Sequence, residues 1–154
     1  SLHAGVRTGD ARKVSSALKK LGSSAWSVVR EIDGDGYSLL HTCAEKTTGQ
    51  TTRKIIMLLI EHSADVDLKN ADGSVPLKVA VDHALLTKNS DSCAALDSIR
   101  AFLQAGASVD IIDDWSSASC ALACAVFNDQ PSGHAVADLL MDFGADLPWH
   151  PFSL

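Results

Sequence analysis

The sequence predicts an all-α fold in which a helical unit repeats along the chain, and two observations lead to that prediction. Of the 154 residues, 46% are hydrophobic but only 5% are aromatic, a balance typical of a helix-rich protein built from Ala, Leu and Val. The stretch "SADVDLKNADGSVPLKVAV" from Ser63 also returns as "GASVDIIDDWSSASCALAC" from Gly106 and, truncated, as "GADLPW" from Gly144. Self-similarity over a few tens of residues is the signature of a repeat architecture.

An apolar segment precedes each copy of this stretch, and the combined unit resembles the ankyrin repeat. "DGYSLLHTCA" from Asp35 and "DGSVPLKVAV" from Asp72 are similar to the first helix of that unit. "LLIEHSADVD" from Leu58 is similar to the end of its second helix and the turn that follows. "LHAGVRTGDARKV" from Leu2 resembles a degenerate first repeat that has lost its own hairpin.

The resemblance covers nearly the whole chain and implies its architecture. A single domain is expected over residues 1–154, folded as an ankyrin-repeat solenoid of stacked helix pairs with short β-hairpin turns. About four repeats are expected, the first and last acting as atypical caps. Their approximate boundaries are 1–33, 34–70, 71–113 and 114–154.

Local residue chemistry supports the helices that this frame implies. The run from Ile55 to Ile60 makes the outer helix of its repeat apolar over most of its surface, as expected where neighbouring repeats cover it. Gly106 and Gly144 follow helices, where glycine adopts the left-handed conformation cheaply, whereas Ser63 at the same point is more costly. Pro76 is predicted in the first turn of a helix, where no amide donor is lost.

Two features depart from the ankyrin pattern. "SASCALAC" from Ser117 replaces Thr-Pro-Leu-His-x-Ala-Ala and Lys78 replaces the usual His, so these repeats are expected to be less stable than consensus ones. The joints between paired helices are also long: "EKTTGQTTRK" from Glu45, "DHALLTKNSDSCAAL" from Asp82 and "NDQPSGHA" from Asn128. Two explanations remain open. Longer helices at these joints could add a second surface along a binding face, or the extra residues could be neutral length variation in exposed loops, which tolerate insertions.

Charge and composition exclude several classes of function. The formal net charge of -6 argues against nucleic acid as a partner, because phosphate binding requires clustered Lys and Arg. No apolar run reaches membrane-spanning length, so no membrane insertion is expected. The first residue is not Met, which predicts that the chain is a segment of a longer protein. The cysteines lie in apolar helical contexts that suit a reducing compartment, so a cytoplasmic location is expected, with the nucleus as an alternative; they are Cys43, Cys93, Cys120 and Cys124.

Three candidate chemical sites are better explained by structure, and neither enzyme activity nor a cofactor is predicted. "EIDGDG", residues 31–36, resembles a calcium loop, but the twelfth position is Thr42 instead of Glu, so turn formation is preferred. Cys120 and Cys124 stand one helical turn apart without the further ligands that zinc requires, so packing is preferred to metal binding. His41 stands at the family's Leu-His step, which implies hydrogen bonding to backbone between neighbouring hairpins.

The resemblance also implies which residues contact a partner, because ankyrin contacts come from hairpin tips and the exposed end of the inner helix. The tip "DIIDDWSS" from Asp110 places Trp115 where polar residues are usual, so Trp115 either anchors a partner or covers the degenerate fourth repeat. Trp115 and Tyr37 are the preferred anchors. The predicted partner-binding residues are Tyr37, Glu45, Lys46, Lys69, Asp72, Ser74, Asp82, His83, Asp113, Asp114, Trp115 and Ser117. This edge is mostly acidic, which favours a basic or mixed-charge peptide.

Two functions remain open at this point. The first is a protein–protein interaction module, monomeric by itself, which binds a protein or peptide through its hairpin tips and inner-helix face and acts as a scaffold or adaptor. The alternative is a regulatory domain of a larger multidomain protein, controlling an attached catalytic or channel domain. The segment "LPWHPFSL" gives the alternative some support, because Trp149 and Phe152 could pass into a neighbouring domain.

Overall fold

The regular elements of the described structure are all helices. A computed structural model describes residues 2–34, 36–45, 50–86, 92–107 and 131–143. Its α-helices are α1 (Leu2–Thr8), α2 (Ala11–Leu21), α3 (Ala25–Val29), α4 (Leu39–Glu45), α5 (Gln50–Glu61), α6 (Pro76–Leu86), α7 (Ser92–Gln104) and α8 (Pro131–Asp142). A 3₁₀ turn, Gly22–Ser24, links α2 to α3. The prediction of an all-α fold is confirmed.

The helices form two rows, which is the arrangement of a repeat solenoid. Helices α1, α4 and α6 contact one another in that order and form the inner row, and α2, α5, α7 and α8 follow one another in the outer row. Each inner helix packs on its outer partner, in the pairs α1–α2, α4–α5 and α6–α7. Each pair therefore buries its apolar side against the pairs before and after it, as predicted for stacked helix pairs.

A continuous apolar core runs between the two rows. Leu40 and Leu77 contribute to it from the inner row, and Ile56, Phe102 and Leu140 contribute from the outer row; all five side chains are fully buried. Burial of one such side chain stabilises the fold by ~1.5–3 kcal/mol. Because each unit supplies only a few of them, no single helix pair could bury enough surface to be stable alone.

The predicted ends of the outer helices are confirmed at two positions. Ser63 after α5 has a φ of 71° and Gly106 after α7 has a φ of 94°, so both adopt the left-handed conformation. In both cases the N–H of the next residue donates to a carbonyl oxygen five residues earlier, at 3.0 Å. This is the Schellman arrangement that closes a helix. Helix α6 begins at Pro76, as predicted, and Gly144 lies outside the described residues.

Tight turns at 33–37 and 70–74 lead into α4 and α6, where hairpins are predicted. In each turn the first N–H donates to the last carbonyl oxygen, Asp33 to Tyr37 at 3.0 Å and Asn70 to Ser74 at 2.9 Å. The side-chain oxygens of Asp33 and Asn70 accept the N–H groups of the same two partners, both at 2.9 Å. The two turns are therefore built alike, and neither carries a strand in the residues described around it.

Lengthened helices at the joint between α6 and α7 stay a prediction. Helix α6 has 11 residues and α7 has 13, and α5 has 12. The joint residues 46–49 and 87–91 themselves lie outside the described structure. A feature not indicated by the sequence pattern is the short helix α3, which leaves the Trp26 side chain 58% exposed ahead of the first turn.

Candidate interaction surface

The first and second turns stack directly on one another through Gly36. Its φ of 76° lies in the left-handed region, and a Cβ atom built there would lie 2.6 Å from the main-chain nitrogen of Ala71. A side chain at this position would therefore collide with the backbone of the next turn. Gly36 is required both by its own conformation and by the close approach of the two turns.

A buried histidine joins these same two turns. The Nε2 atom of His41 on α4 lies 2.9 Å from the main-chain oxygen of Ser74 in the second turn. Its Nδ1 atom accepts the N–H of Ser38 at 3.2 Å and lies 2.9 Å from the Ser38 hydroxyl. Because a carbonyl oxygen only accepts, Nε2 carries the proton in the neutral ring. The structural role predicted for His41, bonding backbone between neighbouring hairpins, is confirmed.

The protonation state of His41 fits this role. Its side chain is fully buried, and burial lowers the pKa of the imidazole below its ordinary value. The hydrogen bond to Ser74 and the charges of Asp33 and Glu45 act in the opposite direction but do not prevail. The ring is therefore neutral near physiological pH and holds one tautomer through two fixed partners.

Tyr37, one of the two preferred anchors, lies beside this histidine. The ring centroids of Tyr37 and His41 are 5.4 Å apart, and the ring planes meet at 62° in an edge-to-face arrangement. Tyr37 is only half-buried, so part of its ring faces solvent. An aromatic side chain that is held on one side and open on the other loses little conformational freedom when a partner covers it.

Tyr37 and Glu45 line a common recess. The recess has a volume of about 400 Å³ and lies between α1, the first turn and α4. Glu31, Asp33 and Glu45 supply carboxylates around it, and Arg7 supplies a guanidinium. The acidic character predicted for this edge is present here, although one cation from the first repeat moderates it.

Arg7 and its neighbour His3 were missing from the sequence-based set, although a signal for them exists. The stretch "LHAGV" from Leu2 aligns with "LHTCA" from Leu40, so Arg7 falls at the helical position of Glu45. Both residues line the recess. The first repeat lacks its own hairpin, so a pattern based on hairpin tips does not include its inner helix.

The third repeat places its predicted contact residues in different environments. Lys69 and Asp72 are exposed at the second turn, whereas Ser74 is half-buried and its main-chain atoms serve the turn and His41. His83 on α6 is half-buried. The remaining predicted contacts lie outside the described residues, namely Lys46, Asp113, Asp114, Trp115 and Ser117.

Asp82, another predicted contact, forms an ion pair within α6. Its Oδ1 atom lies 2.7 Å from Nζ of Lys78, whose side chain is only 6% exposed, while that of Asp82 is 49% exposed. Lys78 occupies in α6 the position that His41 occupies in α4. The buried ammonium requires a negative partner, so Asp82 has a structural task in addition to the predicted one.

Cys43 and Asp33, two described residues of reactive or metal-binding types, have structural roles. Cys43 is fully buried, and burial raises the pKa of its thiol, so it behaves as a small core side chain. Asp33 of the calcium-like stretch uses its carboxylate to accept the Tyr37 N–H in the turn. Within the described ranges, His, Cys, Asp and Glu form no group that could hold a metal ion. Cys120 and Cys124 lie outside those ranges.

Stacked helix pairs, with a buried histidine bonded between two successive turns, define a helical repeat solenoid. Residues 35–71 match the profile of the family described as Ankyrin repeat. Residues 35–71 therefore form an ankyrin repeat, and ankyrin repeats are generally protein–protein interaction modules and not catalytic units. No curated protein matches the chain. No helix of the described residues is both long and apolar enough to cross a membrane.

Proposed function

We propose that this chain binds a partner protein or peptide through its hairpin tips and inner-helix face and acts as a scaffold or adaptor. The observation that carries the proposal is the placement of Tyr37, whose ring packs edge-to-face on the buried His41 while remaining half-exposed at the recess. Anchors of protein interfaces are commonly aromatic side chains of this kind, held in place before the partner arrives.

The charges around the recess favour a basic or mixed-charge partner segment. Three carboxylates surround the recess against one guanidinium, and the exposed Glu31 and Glu45 stand at its rim. A Lys or Arg of a partner would be attracted to these acids, and an apolar side chain next to it would contact the Tyr37 ring. At the second turn Asp72 and Lys69 are both exposed, so charge of both signs follows along the stack.

The proposal can be tested with peptides selected against the 154-residue chain from a random peptide library. Selected peptides should be enriched in Lys or Arg beside an apolar residue. Their affinities are then measured for the wild type, for Tyr37→Ala and for Trp26→Ala. Trp26 is the matched control, because it is an exposed aromatic residue that does not line the recess.

Loss of the anchor should weaken binding about tenfold, equivalent to ~1.4 kcal/mol, whereas the Trp26 variant should bind as the wild type does. Equal affinity of the wild type and Tyr37→Ala for every selected peptide would refute the proposed recess. Trp115 stays a predicted second anchor. The alternative of a regulatory domain rests on residues 147–154, which lie outside the described structure.

A further inference from the structure

A large groove lies on the opposite row of helices, between α2 and α5. Its volume is about 950 Å³. On α2 it is lined by Arg12, Ser15, Ser16 and Lys19, which follow the spacing that places residues on one helical face. The two serines at the centre of this stripe are small and leave space above the helix. The groove shares no lining residue with the recess at Tyr37.

Helix α5 supplies both the apolar floor and further positive charge. Met57 and Leu58 are half-buried and form apolar surface within the groove, and Arg53 and Lys54 lie one turn earlier on the same helix. The guanidinium of Arg53 donates to Oε1 of Gln104 on α7 at 2.9 Å, which fixes its position. An adaptable Met beside a Leu is typical of surfaces that receive apolar side chains of a partner.

The groove is strongly basic in a chain that is acidic overall. It holds four of the 13 Lys and Arg residues of a chain whose formal charge is -6, and Glu61 is the acid in its lining. Among the described residues, Arg12, Lys19 and Lys54 form no ion pair. Their charges are therefore available to a ligand.

A smaller recess adjoins the groove beside Arg12 and Lys54. This recess of about 390 Å³ shares Ala11, Arg12 and Lys54 with the groove and lies at the amino-terminal ends of α2 and α5. Asp10 also lines this recess, but its carboxylate accepts the N–H groups of Arg12 and Lys13 as the cap of α2.

We propose that this groove binds an acidic amphipathic helix of a partner protein. The helix would lay its apolar side chains on Met57 and Leu58 and direct its carboxylates to the cations along the two rims, the mode known as helix-in-groove recognition. Arg12 and Lys19 are about 10 Å apart along α2, so they match two turns of such a helix. The apolar floor favours this ligand over a purely ionic one.

The proposal goes beyond the recognition of a basic segment by the recess. A basic groove on the outer row and an acidic recess on the inner side select partners of opposite charge. Because the two sites share no residue, one chain can hold both partners together, which is what a scaffold does. Each site can also be removed without changing the other.

The experiment uses a fluorescent 18-residue peptide of Leu and Glu, with Leu on one helical face, and measures its anisotropy on titration with the 154-residue chain. A scrambled peptide of equal composition and a Leu–Lys peptide are the ligand controls. The double variant Arg12→Glu, Lys54→Glu should weaken binding at least tenfold. The control Lys20→Glu, Arg100→Glu makes the same change in net charge at exposed positions outside the groove and should change affinity less than twofold.

Three results would overturn the proposal. These are equal binding of the scrambled peptide, equal loss in the control variant, and binding of anionic lipid vesicles but not of the peptide in a manner that depends on Arg12 and Lys54. If the charge-reversed variant unfolds, Arg12→Gln, Lys54→Gln replaces it, because it removes the attraction without adding repulsion. Tyr37→Ala should leave this peptide's affinity unchanged, which separates failure of the groove from failure of the recess.

Discussion

The Nε2 atom of His41 lies 2.9 Å from the main-chain oxygen of Ser74, and this contact joins the inner helix of one repeat to the turn that opens the next. The two residues are 33 positions apart, so the bond crosses the interface between repeats. The recess that contains Tyr37 lies beside the same helix, α4, and beside the first turn. The rigidity of the proposed binding surface around Tyr37 therefore depends on the buried hydrogen bond between His41 and Ser74.

Removal of this contact should destabilise the fold substantially. His41→Ala deletes a fully buried side chain and removes one hydrogen bond each from the Ser74 oxygen, which keeps the Asn70 N–H, and from the Ser38 hydroxyl. We expect a loss of ~3 kcal/mol in the free energy of unfolding, measured by urea denaturation. His3→Ala is the control, since His3 is exposed, and should change stability by no more than ~0.5 kcal/mol. Equal effects of the two substitutions would contradict the role assigned to His41.

The same histidine should make stability depend on pH. Burial lowers the pKa of His41 in the folded state below the unfolded value of about 6.5, so the unfolded chain binds more protons in the window between the two values. The contribution of neutral His41 to the free energy of unfolding is complete above pH 6.5. It is lost progressively as the pH falls toward the pKa of His41 in the folded state. We expect the stability difference between the wild type and His41→Gln to shrink from pH 7.5 to pH 5.5. Thermal melts of both proteins across this range measure it, and a constant difference would argue against a neutral buried ring.

The close approach of the two turns can be tested at Gly36. Gly36→Ala should cost ~2–4 kcal/mol, because the residue has a left-handed φ and its new Cβ would lie 2.6 Å from the Ala71 nitrogen. Gly34→Ala is the matched control, since a Cβ there meets nothing within 4 Å. The control should be neutral or slightly stabilising in chemical denaturation. A tolerated Gly36→Ala would mean that the turns do not stack as described.

Features set by local residue chemistry could be predicted from the sequence. The role of His41 follows from its Leu-His step, and the ends of α5 and α7 follow from the residues placed after them. The basic groove could not be predicted, because Arg12 and Lys54 come together only when α2 packs on α5. Likewise, the spacing of Lys78 and Asp82 permits an ion pair, but burial of the ammonium is a property of the stack. A cluster of charges from different helices cannot be predicted from the residue pattern of any one helix, because it depends on how the helices pack.

The ends of α5 and α7 allow a prediction of opposite sign at equivalent positions. Both helices end with a residue in the left-handed conformation at the same position and with equivalent hydrogen bonds. That residue is Ser63 after α5 and Gly106 after α7. Ser63→Gly should stabilise the protein by ~1 kcal/mol, since it removes the steric cost of a Cβ in this conformation. Gly106→Ala should destabilise it by a similar ~1 kcal/mol, because a Cβ there contacts nothing and only the conformational cost remains. Urea denaturation of the two single variants and of the double variant measures both effects, which should nearly cancel when combined. A decrease in stability for Ser63→Gly would show that the Ser63 side chain makes a contribution larger than its conformational cost.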